Sequence, residues 1–202
     1  MFTRRESFSE YIRFYPIVSI LLAINIAIFL VTLLPYIGFT VRDLGVGDNF
    51  KISQGEWWRF ITPMFLHGGI MHIIFNMFCL FVFAPELERI TGKARFITLY
   101  MLAGIFANVA TYFLMDLGYR HLGASGAIFG IFGAFGALVY YTRRTMPELR
   151  QIILPIIVIS VIMTFLQPGI NATAHVTGLI VGFLIGLSYF NPKRITSWRL
   201  NR

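Results

Sequence analysis

Long apolar runs alternate with short polar joints along this chain, and the runs are long enough to cross a bilayer. A helix needs about 20 apolar residues to span the hydrocarbon. Such runs fall at residues 15–35, 68–86, 94–116, 123–142, 150–167 and 171–191. They predict an all-α, polytopic membrane protein: a six-transmembrane-helix bundle forming a single domain over residues 1–202, with short tails. The first run ends at Pro35, the second before the polar stretch 86–93, and the fourth at Arg143-Arg144. The fifth follows Pro147-Glu148, stops near Pro168-Gly169 and contains Pro155. Neighbouring helices can satisfy the carbonyl that a proline frees, so a kink is expected at Pro155, not a break. The first run lacks a small-residue cleavage site and reads as a retained helix, not a signal peptide.

Residues 36–66 form the one long connection, too polar and too broken by glycine to span. Its Trp57-Trp58-Arg59-Phe60 run combines rings with a cation, a mixture that prefers the headgroup level. The segment is expected to lie partly in the outer leaflet.

Composition agrees with this pattern. The chain is 57% hydrophobic and 13% charged, with a mean hydropathy of +0.73. A lone cysteine, Cys79, excludes an intrachain disulfide. A net charge of +8 would raise the question of nucleic acid in a soluble protein. In a bundle of spans, basic loop residues are first an orientation signal, and no nucleic-acid partner is expected. Four of the 17 Lys and Arg residues, Arg42, Lys51, Arg59 and Arg120, fall on one side of the six spans. The other thirteen fall on the opposite side, in the tails and two joints. The positive-inside rule then puts both termini in the cytoplasm, in a multi-pass protein of the cell membrane.

Orientation fixes direction. The second, fourth and sixth spans run from outside to inside, so Ser125, His175, His72 and Asn76 all lie within about two turns of an outer end. Ser125 follows Gly123-Ala124 at the start of the fourth span. A hydroxyl there sits beside unpaired backbone N–H groups and the positive end of the helix dipole, which together suit an oxyanion. Packing is the bland alternative, since small polar residues commonly pack membrane helices. A histidine inside a span, such as His175, is costly and marks a function or a structural hydrogen bond. Gly126, Gly130 and Ala134 on the fourth span, and Gly178, Gly182 and Gly186 on the sixth, form small faces that permit close approach. If these faces meet, Ser125 and His175 come within reach as nucleophile and base. His72 and Asn76 are four apart and share a helix face, as oxyanion donors or as a polar brace. His67 is read as structural.

A metal site is disfavoured: there is no HExxH, and no acidic residue lies at comparable depth, Glu56 and Asp116 being near the boundary. Aspartyl chemistry needs two buried carboxylates, which the span centres lack. No cofactor is expected. No acid is evident to orient His175, so a Ser-His dyad is implied, with Phe129, one turn below Ser125, as a stacking partner.

Together these residues resemble the rhomboid family of intramembrane serine proteases, over residues 56–190. The resemblance rests on Gly123-Ala124-Ser125-Gly126, on Ala174-His175 with Gly178 and Gly182, on His72-Ile73-Ile74-Phe75-Asn76, and on Trp58-Arg59. It implies Ser125 as nucleophile, His175 as general base and acid, and an oxyanion hole from the Ser125 N–H, His72 and Asn76. It also implies a structural, interfacial role for Trp58 and Arg59, and a structural role for Glu88. The implied substrates are membrane proteins with helix-weakened transmembrane segments, entering between the second and fifth spans and cut near the outer face. Two rivals are a catalytically inactive relative that binds client helices, and a small transporter. The transporter predicts polar residues through the full depth of a span, whereas here they cluster in the outer half. Asn171-Ala172-Thr173 fits a glycosylation pattern but hugs the membrane.

Overall fold

A computed structural model describes residues 5–192. The basic tail residues Arg4, Lys193, Arg194, Arg199 and Arg202 used in the orientation argument lie outside the described residues. The elements in chain order are α1 (Phe8–Phe14), α2 (Pro16–Val31), α3 (Ile37–Gly45), β1 (Gly47–Asp48), α4 (Asn49–Ser53), α5 (Ile70–Thr91), α6 (Lys93–Leu114), β2 (Arg120–His121), α7 (Ser125–Thr142), α8 (Pro147–Leu166) and α9 (Ala172–Tyr189). Two 3-10 turns, Trp57–Phe60 and Thr62–Phe65, lead into α5.

The all-α bundle is as expected. Among the described residues, α5, α6, α7, α8 and α9 are each long and apolar enough to span a membrane. The first predicted span, residues 15–35, falls on α2, which has 16 residues, or about 24 Å of rise, and which meets the preceding α1 at 111°. The bend falls where Pro16 begins α2, since proline lacks the N–H an incoming helix would need but suits a first helical position. The orphan N–H groups at this start are satisfied from another helix. Glu88 of α5, 2% exposed, accepts from Ile17 N at 3.1 Å and Val18 N at 2.9 Å. That is a structural role for Glu88. Helix α8 runs unbroken through Pro155.

The bundle carries apolar residues outside as well as in. Phe75 and Phe78 of α5, Phe113 of α6, and Ile159, Phe165 and Leu166 of α8 are all exposed, which only a lipid solvent makes favourable. Helix α7 is the central column, buried almost continuously from Gly126 to Val139, with α9, α6, α8 and α5 around it.

The closest packing is between α7 and α9. A Cβ at Gly178 would lie 2.0 Å from Gly126 O, one at Gly182 1.9 Å from Gly130 O, and one at Gly186 3.0 Å from Ala134 Cα. The two small faces therefore meet. Both helices advance four residues from each pair to the next, so they run parallel.

The connection 36–66 folds into a strap held to the far loops. Strand β1 pairs antiparallel with β2, Gly47 opposite His121 and Asp48 opposite Arg120. Asn49 donates to Asp116 O at 3.0 Å, and Asn108 of α6 donates to Phe60 O at 2.9 Å. Here the headgroup reading of the Trp57–Phe60 run is half corrected. Trp57 and Trp58 are exposed, but Arg59 is 0% exposed. Its guanidinium donates to Asp43 O at 2.8 Å, Val46 O at 2.7 Å and the Glu56 carboxylate at 2.6 Å. The buried charge is balanced and hydrogen-bonded, which is how such a group is tolerated; it organises the strap from within.

His67 and His121 are both buried, and no ring nitrogen of either meets a partner among the described residues. The structural hydrogen bond expected of His67 is absent there; its ring packs edge-on against His72 at 5.1 Å.

Two outcomes are expected. Gly182→Ala drives a methyl into the backbone of α7 and should lower unfolding stability in micelles by about 1–3 kcal/mol or more. Gly136→Ala, whose Cβ would meet nothing nearer than 3.5 Å, should leave it within about 0.5 kcal/mol. Equal losses would contradict the packing. Burial holds the pKa values of His67 and His121 down at about 4, with the neighbouring His72 adding to the effect at His67. The unfolded chain takes up protons near pH 6.5. Stability should therefore be full above about pH 6.5 and fall between about pH 6.5 and 4, by on the order of 2–3 kcal/mol per histidine. Thermal unfolding against pH reads this, and His121→Gln should flatten the slope; parallel profiles would refute it.

Candidate active site

The site lies at the end of the bundle where α5, α7 and α9 begin. Ser125 is the first residue of α7 and is half-buried. The backbone N–H groups of this first turn have no intrahelical carbonyl to meet. The approach to the helix is set by Gly123, whose φ of +131° lies in the left-handed region and whose N–H donates to Pro63 O at 2.8 Å. Glycine is required twice over: for its backbone angle, and because a Cβ would sit 2.8 Å from His72 Nε2 and 3.6 Å from Ser125 Oγ. That same point fixes His72 Nε2 and Ser125 Oγ as neighbours across Gly123.

His72 stands in the first turn of α5. Its Nδ1 accepts the Gly68 N–H at 3.3 Å, which leaves a neutral ring its proton on Nε2, the atom facing Gly123 and Ser125. Asn76, 6% exposed, donates one amide N–H to His72 O at 2.8 Å, one turn back along the same helix. Its second N–H meets no acceptor among the described residues.

His175 lies in the first turn of α9, one turn before Gly178. Because Gly178 packs on Gly126, the parallel register puts His175 level with the residues that open α7. Asn171 starts α9, its carboxamide oxygen accepting from Ala174 N at 2.9 Å and its nitrogen donating to Thr111 Oγ1 at 2.9 Å. The apparent glycosylation asparagine is thus a helix cap tied to α6. The His175 ring stacks on Phe129, centroids 4.0 Å apart and planes 19° apart, as the sequence suggested. His175 is 7% exposed.

One contact lay outside the sequence reading. Thr164 of α8, 3% exposed, places Oγ1 2.8 Å from His175 Nδ1. The available signal was a lone pair of hydroxyls, Ser160 and Thr164, one turn apart in an apolar helix. Ser125 itself makes no side-chain hydrogen bond among the described residues, so the expected direct bond to His175 is not formed here. Nucleophile–base pairs are often loose before substrate binds. A cavity of about 420 Å³ opens beside the strap, lined by Arg42, Arg120, His121 and Leu122 among others, not over Ser125.

Residues 54–192 match the model of the Rhomboid domain. The chain is 42% identical over 195 residues to YdcA of Bacillus subtilis (strain 168), described as a candidate rhomboid protease, covering 96% of this chain and 98% of that one. It is 38% identical over 157 residues to rhomboid protease GluP of the same organism, covering 76% of this chain and 30% of GluP. Against RHOMBOID-like protein 5 of Arabidopsis thaliana it is 33% identical over 171 residues, covering 77% of this chain and 54% of that protein. The chain spans nearly all of the first relative and about half or less of the other two. A domain match over most of the chain, with identity extending from end to end of one relative, makes this multi-pass helical membrane protein a member of the rhomboid family.

Proposed function

We propose that the chain is an intramembrane serine endopeptidase that cleaves transmembrane-helix substrates near the outer face of the cell membrane, with both termini in the cytoplasm. Relatives named as rhomboid proteases support the protease reading. The observation that carries the catalytic assignment is the parallel α7–α9 contact, which brings a stacked, buried imidazole level with a serine at a helix N-terminus.

In this reading Ser125 Oγ attacks the scissile carbonyl carbon and its proton passes to His175 Nε2. The carbonyl oxygen takes up negative charge and is held by the Ser125 backbone N–H, by His72 Nε2–H and by the free N–H of Asn76. The C–N bond then breaks, and His175 gives the proton to the departing amine, leaving an acyl-enzyme. A water molecule, deprotonated by His175, releases the acid and restores Ser125. All the donors are neutral, so none needs a counter-charge in lipid, and they are fixed before charge develops, which is what makes such a site effective. The substrate must unwind locally, because a helical peptide bond is shielded; glycine and other weak helix formers are therefore expected near the cut.

Ser125→Ala and His175→Ala should each reduce cleavage of a single-span substrate in proteoliposomes to background. A fluorophosphonate should label the native protein and not Ser125→Ala. Full cleavage by Ser125→Ala would end the assignment, and an unlabelled native serine would favour the inactive, client-binding relative. Asn76→Ala should lower kcat by about 10²–10³-fold with little change in KM; unchanged kcat would remove Asn76 from the oxyanion site.

A further inference from the structure

We infer that Thr164 is a positioning residue that fixes the tautomer and ring angle of His175, standing where a soluble hydrolase would use a carboxylate. The inference rests on the protease reading for its consequence, but not for its geometry.

Thr164 Oγ1 lies 2.8 Å from two groups, the Ser160 carbonyl oxygen and His175 Nδ1. A hydroxyl carries one proton. A carbonyl oxygen can only accept, so the hydroxyl proton belongs to the Ser160 contact, a bond of the i to i−4 kind that threonine makes within helices. Toward His175 the oxygen then has only lone pairs to offer, and Nδ1 must be the donor. The neutral imidazole is therefore protonated at Nδ1, and the lone pair is left on Nε2, the nitrogen that serves as base. The opposite tautomer would set two lone pairs against each other at hydrogen-bond distance in a buried place.

Stacking on Phe129 fixes the plane of the imidazole but leaves it free to turn within that plane. The Thr164 bond removes this freedom. It also supplies a chain of dipoles, from the Ser160 carbonyl through the Thr164 hydroxyl to the Nδ1–H, aligned to favour the imidazolium formed when Ser125 gives up its proton. The Nδ1–H and the Thr164 proton stay in place throughout; only the proton at Nε2 is exchanged.

The position of Thr164 adds a further link. The residues of α8 that are buried are Leu149, Ile153 and Thr164. Near the site end of the helix, Ile162, Met163, Phe165 and Leu166 are all exposed. Thr164 is thus the inward anchor of α8 at the level of the site, and a shift of α8 away from α9 removes the partner of the base.

The experiment uses full-length protein labelled with ¹⁵N-histidine. In the native protein the His175 signals, assigned by their loss in His175→Ala, should report a proton on Nδ1 and none on Nε2. Thr164→Val, isosteric but without an oxygen, should show both tautomers. It should also lower kcat by about 10–100-fold, by analogy with the loss of a partner that orients a metal-bound histidine, with KM within about twofold. Thr164→Ser should restore the native tautomer and kcat to within about threefold. A native ring protonated at Nε2 would overturn the proposal without any variant, as would a Thr164→Val protein with native tautomer and native kcat. The NMR readout does not require turnover, so an inactive native protein would sink the protease reading and leave the role of Thr164 to be decided by the spectrum.

Discussion

The site depends on one contact, the backbone-to-backbone approach of α7 and α9. Burying apolar side chains gives no advantage over leaving them in lipid, so helices associate there by van der Waals packing and polar bonds, and close approach is worth most. Gly126 against Gly178 and Gly130 against Gly182 bring main chains so near that no side chain fits between them. That contact fixes axial register as well as distance. A slip of one residue would put side chains where the glycines are and would move His175 off the level of Ser125. The remaining features of the site decorate this seam: Phe129 extends it on one side, and Thr164 reaches it from α8.

The electrostatic arrangement follows from the same solvent. A charge deep in hydrocarbon is costly, and Ser125, His72, Asn76, His175 and Thr164 offer only imidazoles, an amide and hydroxyls. Charged side chains are kept at the ends of the bundle and put to structural use there. Glu88 closes the start of α2, Glu86 pairs with Arg89, and Arg59 gathers the carbonyls of the strap. His175, stacked on Phe129 and hydrogen-bonded to Thr164 instead of ion-paired, is held in a buried place by neutral partners.

Much of this was legible in the sequence because the signals were local. Apolar runs gave the spans. Glycines four apart on two spans gave the faces, and the structure brings those faces together. Phe129 one turn below Ser125 gave the stacking partner. What was not legible depended on geometry between distant segments. Thr164 reads as one hydroxyl in an apolar helix until the rotation of α8 against α9 is known. Arg59 reads as an interfacial cation because the carbonyls that bury it, those of Asp43 and Val46, come from a loop whose path has no periodic signal. Helix α1, which meets α2 at 111°, was not legible because it is short and its Ser9, Glu10 and Arg13 carry no spanning signal. The direct serine–histidine bond anticipated from the glycine faces is absent because packing fixes the register of the helices and not the side-chain torsions.

The strap has a consequence for biosynthesis. Several of its partners are encoded later: the Asn108 side chain, the carbonyls of Asp116 and Tyr119, and the strand at Arg120-His121. During translation residues 37–65 emerge well before those groups, so they cannot adopt their final form until α6 has been inserted and the loop beyond it delivered. The nascent chain therefore carries the strap unclosed until α6 and the loop beyond it have been made, and the Gly123 N–H to Pro63 bond that sets the approach to α7 forms only then.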